Sequence, residues 1–247
     1  MTYTAVALGP EYQCHACGRT YGAGLVRVPR AWGSGGDDMA EAAYLPFPYP
    51  ETAVIEEDSV EEQSLALASD LPDRPLVLGG CCCSHIGAVE GLAARHGRIA
   101  VVWLDAHGDL NTPETSPSGN TWGMPLRMIF GSGAVSPEDT VLIGARNLDP
   151  PEVAFIEASG LHTGAHAIDA ALAETNGIYV ALDCDVLAEE EVASFMPEPG
   201  GIPIAEAELI LASLRQRAPV LGAGLSGLRP EAANVAPVTR LCSALGL

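Results

Sequence analysis

Two apolar runs of this chain end in the same pattern. Ile99-Ala-Val-Val-Trp-Leu leads into Asp105-Ala-His107-Gly-Asp109, and Gly177-Ile-Tyr-Val-Ala-Leu leads into Asp183-Cys-Asp185. Side chains two apart lie on one face of a strand, so each run is expected to deliver its acidic groups, and His107 with them, to one side as it leaves a sheet. Carboxylates brought that close repel one another and resist desolvation, and a cation relieves both costs. Four carboxylates and an imidazole suit hard or borderline divalent ions such as Mn²⁺, with oxygens enough for two; zinc alone favours more nitrogen or sulfur. A solvated acidic loop is the alternative for either run alone, and the recurrence of the pattern argues against it.

The rest of the chain alternates apolar strands with helical segments. Residues 3–8, 76–78, 140–143 and 220–225 read as further strands, ended by Gly or Pro or followed by amphipathic stretches. Helical composition occupies 60–70, 86–96, 123–130, 152–158 (with Pro151 suited to a first turn), 166–174, 204–217 and about 231–245. From residue 11 to about 57 there is no sustained period beyond a helical turn over 24–32, and so long a stretch suggests a lid or an oligomer contact. The expected fold is α/β: one domain over residues 1–247, a three-layer α/β/α sandwich with a mostly parallel central sheet. Sites in such sheets form at the carboxyl ends of strands, where both acidic clusters fall.

Charge and cysteine usage narrow the partners. With 32 acidic residues against 12 basic ones, all arginine, the net charge is −20, which disfavours nucleic acid. No apolar run reaches the roughly 18 residues of a membrane span and no signal peptide is evident, so a soluble, cytoplasmic protein is expected, without membrane partners. Seven cysteines, an odd number, argue against a disulfide framework. Cys14-His-Ala-Cys17 is either half of a zinc site or, more simply, a loop with free thiols, since no second pair at finger spacing follows.

Asp105-Ala-His-Gly-Asp-Leu-Asn-Thr-Pro113 and Asp183-Cys-Asp185 resemble the metal motifs of the ureohydrolases, the arginase and agmatinase superfamily that includes formiminoglutamase. Leu78-Gly-Gly-Cys-Cys-Cys-Ser-His-Ile-Gly87 resembles its glycine-rich metal turn. The resemblance runs nearly the whole chain. It implies an arginase-like fold and a site for two Mn²⁺ ions, where a bridging hydroxide attacks the carbon of a guanidinium or amidine in a small substrate such as arginine or Nω-hydroxy-arginine. It further implies that Asp105 and Asp183 bridge the metals, that His107 and Asp185 complete one and Asp109 the other, and that Asp109 and His107 serve catalysis as well. Asn111, Ser118 and Asn120 coincide with positions that hold the α-carboxylate and α-amino groups of an amino acid. A homo-oligomer is expected.

Three positions depart from the family pattern. The histidine ligand falls on Cys82, which is either a thiolate ligand that shifts preference toward Fe²⁺ or Zn²⁺, or a buried inert thiol; His85 lies three positions along. The proton-shuttle histidine is Trp122, placed beside the substrate but unable to transfer a proton. The glutamate that grips the guanidinium is Gly227, with Glu231 four residues on as a substitute only if the loop differs. Two rival readings follow: a catalytically degenerate arginase-fold protein with a binding or regulatory role, and an amidine or amide hydrolase with Cys82 as nucleophile and His107 as base. Neighbouring carboxylates, which raise a thiol's pKa, disfavour the last.

Overall fold

The computed structural model describes residues 5–7, 12–14 and 18–247. Residues 3, 4 and 8 of the expected first strand, and His15 to Cys17 of the possible zinc motif, lie outside the described residues. Strands β1 (Ala5–Ala7), β2 (Tyr12–Cys14) and β3 (Thr20–Tyr21) form a small antiparallel sheet of their own. There follow β4 (Gly24–Val28), α1 (Asp37–Ala42), β5 (Glu51–Val54), α2 (Val60–Asp70), β6 (Pro75–Gly79) and α3 (Ser84–His96). The middle of the chain supplies β7 (Ala100–Leu104), α4 (Pro125–Ser132), β8 (Thr140–Ile143), α5 (Pro150–Ser159), β9 (His162–Thr163) and α6 (Ile168–Leu172). Strand β10 (Ile178–Asp183), α7 (Ile204–Leu214), β11 (Val220–Ser226) and α8 (Val235–Ala244) complete it.

Strands β4 to β11 pair in parallel throughout, in the order β5-β4-β6-β11-β10-β7-β8-β9. Every residue of β7 and β10 is buried, which is why these runs read as continuously apolar rather than alternating. Their side chains nonetheless divide by parity. Val101, Trp103, Tyr179 and Ala181 join the core under α2, α3 and α4, while Val102, Leu104, Val180 and Leu182 join the core under α6, α7 and α8. Two helical layers thus cover one sheet, as the alternating composition requires.

Local signals hold the helices in place. Ser59 caps α2, its side chain accepting from Glu62 N at 3.1 Å, and α5 begins with a capping box between Asp149 and Glu152. The turn between β6 and α3 needs Gly80, because a Cβ there would lie 2.4 Å from Pro29 O.

Several parts differ from the sequence expectation. The described part of the first strand belongs to the small sheet, not the central one. Residues 24–28, expected as a helical turn, form β4, and β5 lies in the stretch expected to be irregular. The physical reason is Arg27, which breaks the apolar run yet is only 8% exposed. Its guanidinium pairs with Glu51 at 2.5 Å and donates to the carbonyls of Ala43 and Leu45, so a charged residue sits in a buried strand. Helices expected over 166–174 and from 231 are shorter, each beginning with a 3₁₀ turn, at Ala165–Ala167 and Ala232–Asn234.

β6, β11, β10 and β7 are adjacent at the centre of the sheet. Their carboxyl ends therefore deliver Cys82, Gly227, Asp183 and Asp105 to one place.

Candidate metal centre

Strand β7 stops at Leu104, so the convergence of Asp105, His107 and Asp109 does not come from strand alternation. Asp105 N still bonds to Ile143 O at 3.0 Å, and the chain then curls until Asp109 takes φ 53°, the one non-glycine residue with positive φ among those described. Aspartate tolerates this region better than most residues, and the turn swings its carboxylate back toward Asp105. Glu152 pins the curl: one oxygen accepts from Leu110 N and the other from Asp149 N, both at 2.9 Å, tying the loop to the start of α5. After β10, Asp183 Oδ1 accepts from Asp185 N at 3.0 Å, and Asp185 Oδ1 accepts from Ala106 N at 3.0 Å, which locks the two acidic loops together.

The result is one cavity of about 220 Å³ lined by all six expected ligands: Cys82, Asp105, His107, Asp109, Asp183 and Asp185. Ligand atoms of Cys82, Asp105 and Asp109 lie within 4.8 Å of one another, as do those of Asp105, His107 and Asp185. Asp105 belongs to both groups. All four carboxylates are buried. Burial and mutual repulsion push Asp109, Asp183 and Asp185 above the usual carboxylate range. Burial works against a charge on His107, but its contacts with Asp105 and Asp185 prevail and push it up to about 12; Nδ1 lies 3.0 Å from Asp185 Oδ2 and 3.5 Å from Asp105 Oδ1. Asp109 Oδ2 is buried and has no hydrogen-bond partner among the described residues. Buried carboxylates in such need of positive charge, with an orphaned oxygen among them, fit one or two divalent cations.

Burial, with Asp183 and Asp109 beside it, pushes the Cys82 thiol well up, and Sγ lies 2.8 Å from Asp183 Oδ2. His107, the candidate base for a Cys82 nucleophile, makes its side-chain contacts with Asp105, Asp185 and Glu198.

Asn111, Ser118 and Trp122 also line the cavity. The Asn111 amide donates to Asp149 Oδ2 at 2.9 Å and its oxygen accepts from Thr115 Oγ1 at 2.9 Å. Ser118 Oγ accepts from Asn120 N at 3.2 Å. Asn120 is not among the lining residues; its Oδ1 accepts from Ser34 N at 2.9 Å. Trp122 packs edge-on to Phe195 at 5.6 Å and lies over Gly33, where a Cβ would stand 2.4 Å from the indole. Glu231 is not brought to the cavity: it borders a separate surface depression with Glu189, Glu190 and Arg229. The substitute for the missing glutamate is therefore not in place.

The sequence reading missed Asp149, Glu152, Asn147, Phe195, Met196 and Met39, all of which line the cavity. The Asp-Pro-Pro-Glu signature of a capping box marked the first two. The apolar residues carry no comparable signal, because they come from loops and helices far apart in the chain.

A sequence model of the Arginase family matches residues 36–244. The arginase of Bacillus subtilis (strain 168) is 37% identical over 166 residues, an alignment that covers 57% of this chain and 56% of that protein. The matched part thus spans little more than half the length of this curated relative. In three dimensions the chain resembles the crystal structure of arginase from Bacillus subtilis, with a TM-score of 0.80 and 25% identity over 90% of this chain and 97% of that one. Arginase from Bacillus caldovelox gives a TM-score of 0.75 and 27% identity over the same shares.

Proposed function

Since the chain belongs to the arginase family, we propose that it is a metal-dependent hydrolase of a linear C–N bond in an amidino or guanidino amino acid. The observation that carries this reading is the pair of ligand groups sharing Asp105 at the floor of one cavity. Cys82, Asp105 and Asp109 would hold one cation and Asp105, His107 and Asp185 a second, with Asp183 close by at Cys82. When bound, such divalent ions, Mn²⁺ among them, would supply activated water and the positive charge that steadies a tetrahedral carbon.

The chain's own residues set the substrate. Asn111, held by Asp149 and Thr115, and Ser118 offer neutral polar groups for the amino-acid end. Trp122 and Phe195 form an apolar wall of the cavity that has no proton to transfer to a leaving amine. With Gly227 at the floor and Glu231 elsewhere, no carboxylate at either position pairs with a strongly basic guanidinium. Losing one charge-assisted contact costs on the order of 1.5–3 kcal/mol, enough to shift preference roughly tenfold to a hundredfold. The preferred substrate in this reading is a less basic amidino amino acid such as Nω-hydroxy-arginine.

The test compares kcat/KM for arginine, Nω-hydroxy-arginine, agmatine and N-formimino-glutamate on Mn²⁺-loaded protein. Nω-hydroxy-arginine is expected to lead. Faster turnover of agmatine would remove the amino-acid requirement, and no turnover of any of the four by protein with a full metal complement would favour a binding or regulatory role.

A further inference from the structure

Behind Cys82 runs a buried hydrogen-bond chain that the proposed reaction does not use. Ser226 Oγ lies 3.1 Å from Cys82 Sγ and 3.1 Å from His85 Nε2, and His85 Nδ1 lies 2.9 Å from the Tyr179 hydroxyl. His85, Ser226 and Tyr179 are fully buried. The imidazole stands edge-on to Trp103 at 5.2 Å and to Tyr179 at 5.9 Å. Gly224 makes room for it, since a Cβ there would lie 2.5 Å from His85 Nδ1.

A proton inventory gives the chain a direction. Burial holds His85 neutral, down to about 3, so its ring carries one N–H. If that N–H were on Nδ1, the Tyr179 hydroxyl would accept it, and its own proton would be buried with no acceptor among the described residues, which is costly. Tyr179 therefore donates to Nδ1, and Nε2–H donates to Ser226. The Ser226 proton is then free to go to Cys82 Sγ or to Asp183 Oδ2, 3.2 Å away. At present the thiol itself donates to Asp183. A thiolate bound to a cation could only accept, and Ser226 is the donor already in place for it.

The sulfur is also the soft member of a complete ligand group. Cys82 Sγ joins oxygens of Asp105 and Asp109, and the buried, unpartnered Asp109 Oδ2 is an independent sign that something cationic belongs there. We propose that Cys82 ligates this cation as a thiolate and that Tyr179, His85 and Ser226 are positioning residues whose donor chain ends on the sulfur. The Cys82/Asp105/Asp109 position thereby takes softer divalent ions, Co²⁺, Zn²⁺ or Fe²⁺, ahead of Mn²⁺, while the Asp105/His107/Asp185 position has no sulfur and lacks that added preference. The proton displaced from Cys82 leaves to solvent. This inference rests on the metal-centre reading of the cavity, not on the identity of the substrate.

The experiment is a Co²⁺ titration of the metal-free full-length protein followed by absorption, with a Mn²⁺ titration in parallel. Wild type is expected to develop a near-ultraviolet sulfur-to-cobalt charge-transfer band, and Cys82→Ser to lose that band while keeping the visible bands of bound cobalt. His85→Phe and Ser226→Ala should keep the band but weaken Co²⁺ binding about 10–100-fold, the usual cost of removing a group that orients a metal ligand. Tyr179→Phe, which removes only a hydroxyl, carries the same expectation if His85→Phe fails to fold by circular dichroism. Bound cobalt without the band in wild type would overturn the ligation, and unchanged Co²⁺ affinity in Ser226→Ala and Tyr179→Phe would overturn the positioning role. A band without turnover of any amidino substrate would count against the proposed reaction and leave this inference standing; turnover without the band would do the reverse.

Discussion

A Cβ placed on Gly227 would lie 2.2 Å from Asp183 Oδ1. The backbone there is also left-handed, at φ 68°. Position 227, where the family resemblance leads one to expect a glutamate, therefore has no room for any side chain while Asp183 keeps its place. Gly227→Ala should cost about 1–2 kcal/mol from φ alone and push Asp183 out of the ligand group. The expected outcome is lower bound metal per chain and a lower urea midpoint. A variant with full metal content and unchanged stability would show that this loop yields without disturbing Asp183.

Metal removal should make stability depend steeply on pH. Asp109, Asp183 and Asp185 have folded-state pKa values raised above their unfolded ones, so the native state holds protons that the unfolded state has lost. The metal-free protein then loses stability as pH rises above the unfolded carboxyl pKa of about 4 toward the folded values. His107 adds to this at higher pH: its charge stabilises the fold fully below its unfolded pKa of about 6.5, and that contribution fades as pH rises toward about 12. Saturating Mn²⁺ should raise Tm more at roughly pH 8 than at roughly pH 5. Thermal unfolding with and without chelator measures it, and an increment that shrinks with pH would contradict the assignment of these groups as cation ligands.

Trp122 occupies the cavity wall without a transferable proton. Trp122→His should raise kcat for arginine and for Nω-hydroxy-arginine alike, on the order of 10²-fold if the new imidazole reaches the leaving amine, because cleavage of the linear C–N bond expels the same alkyl amine from both. Steady-state kinetics on protein of equal metal content decides this. An unchanged kcat for both substrates would mean that leaving-group protonation is not what Trp122 limits.

Glu152 is 4% exposed and is, among the described residues, the sole side-chain partner of two backbone N–H groups, those of Leu110 and Asp149. Glu152→Ala leaves both without an acceptor, at a cost on the order of 2–4 kcal/mol, and frees the turn that holds Asp109. Glu152→Gln keeps one oxygen and should lose roughly half as much. Denaturant unfolding and metal stoichiometry report the two effects; an alanine variant with wild-type values in both would mean that the loop is held by other contacts.

Much of this protein was decided within short stretches of sequence. The Asp-x-His-x-Asp and Asp-x-Asp motifs stand at the carboxyl ends of adjacent strands β7 and β10, and residues 60–70 form a helix with the bounds their composition indicates, since capping and apolar periodicity act over a few residues. Strand β4 was less legible because Arg27 is neutralised by Glu51 and by carbonyls 16 and 18 residues away. The centre itself was decided only in three dimensions. The left-handed turn at Asp109, not strand alternation, aims its carboxylate, and that turn is held by Glu152 from the next helix. His85, three residues from Cys82, reaches it through Ser226, which arrives from a strand 141 residues later. Glu231 follows Gly227 by four residues yet lines another depression. Sequence spacing fixes which groups can share a strand or a helical turn, but whether two side chains meet depends on how separate loops pack, and that packing is set by partners distant in the chain.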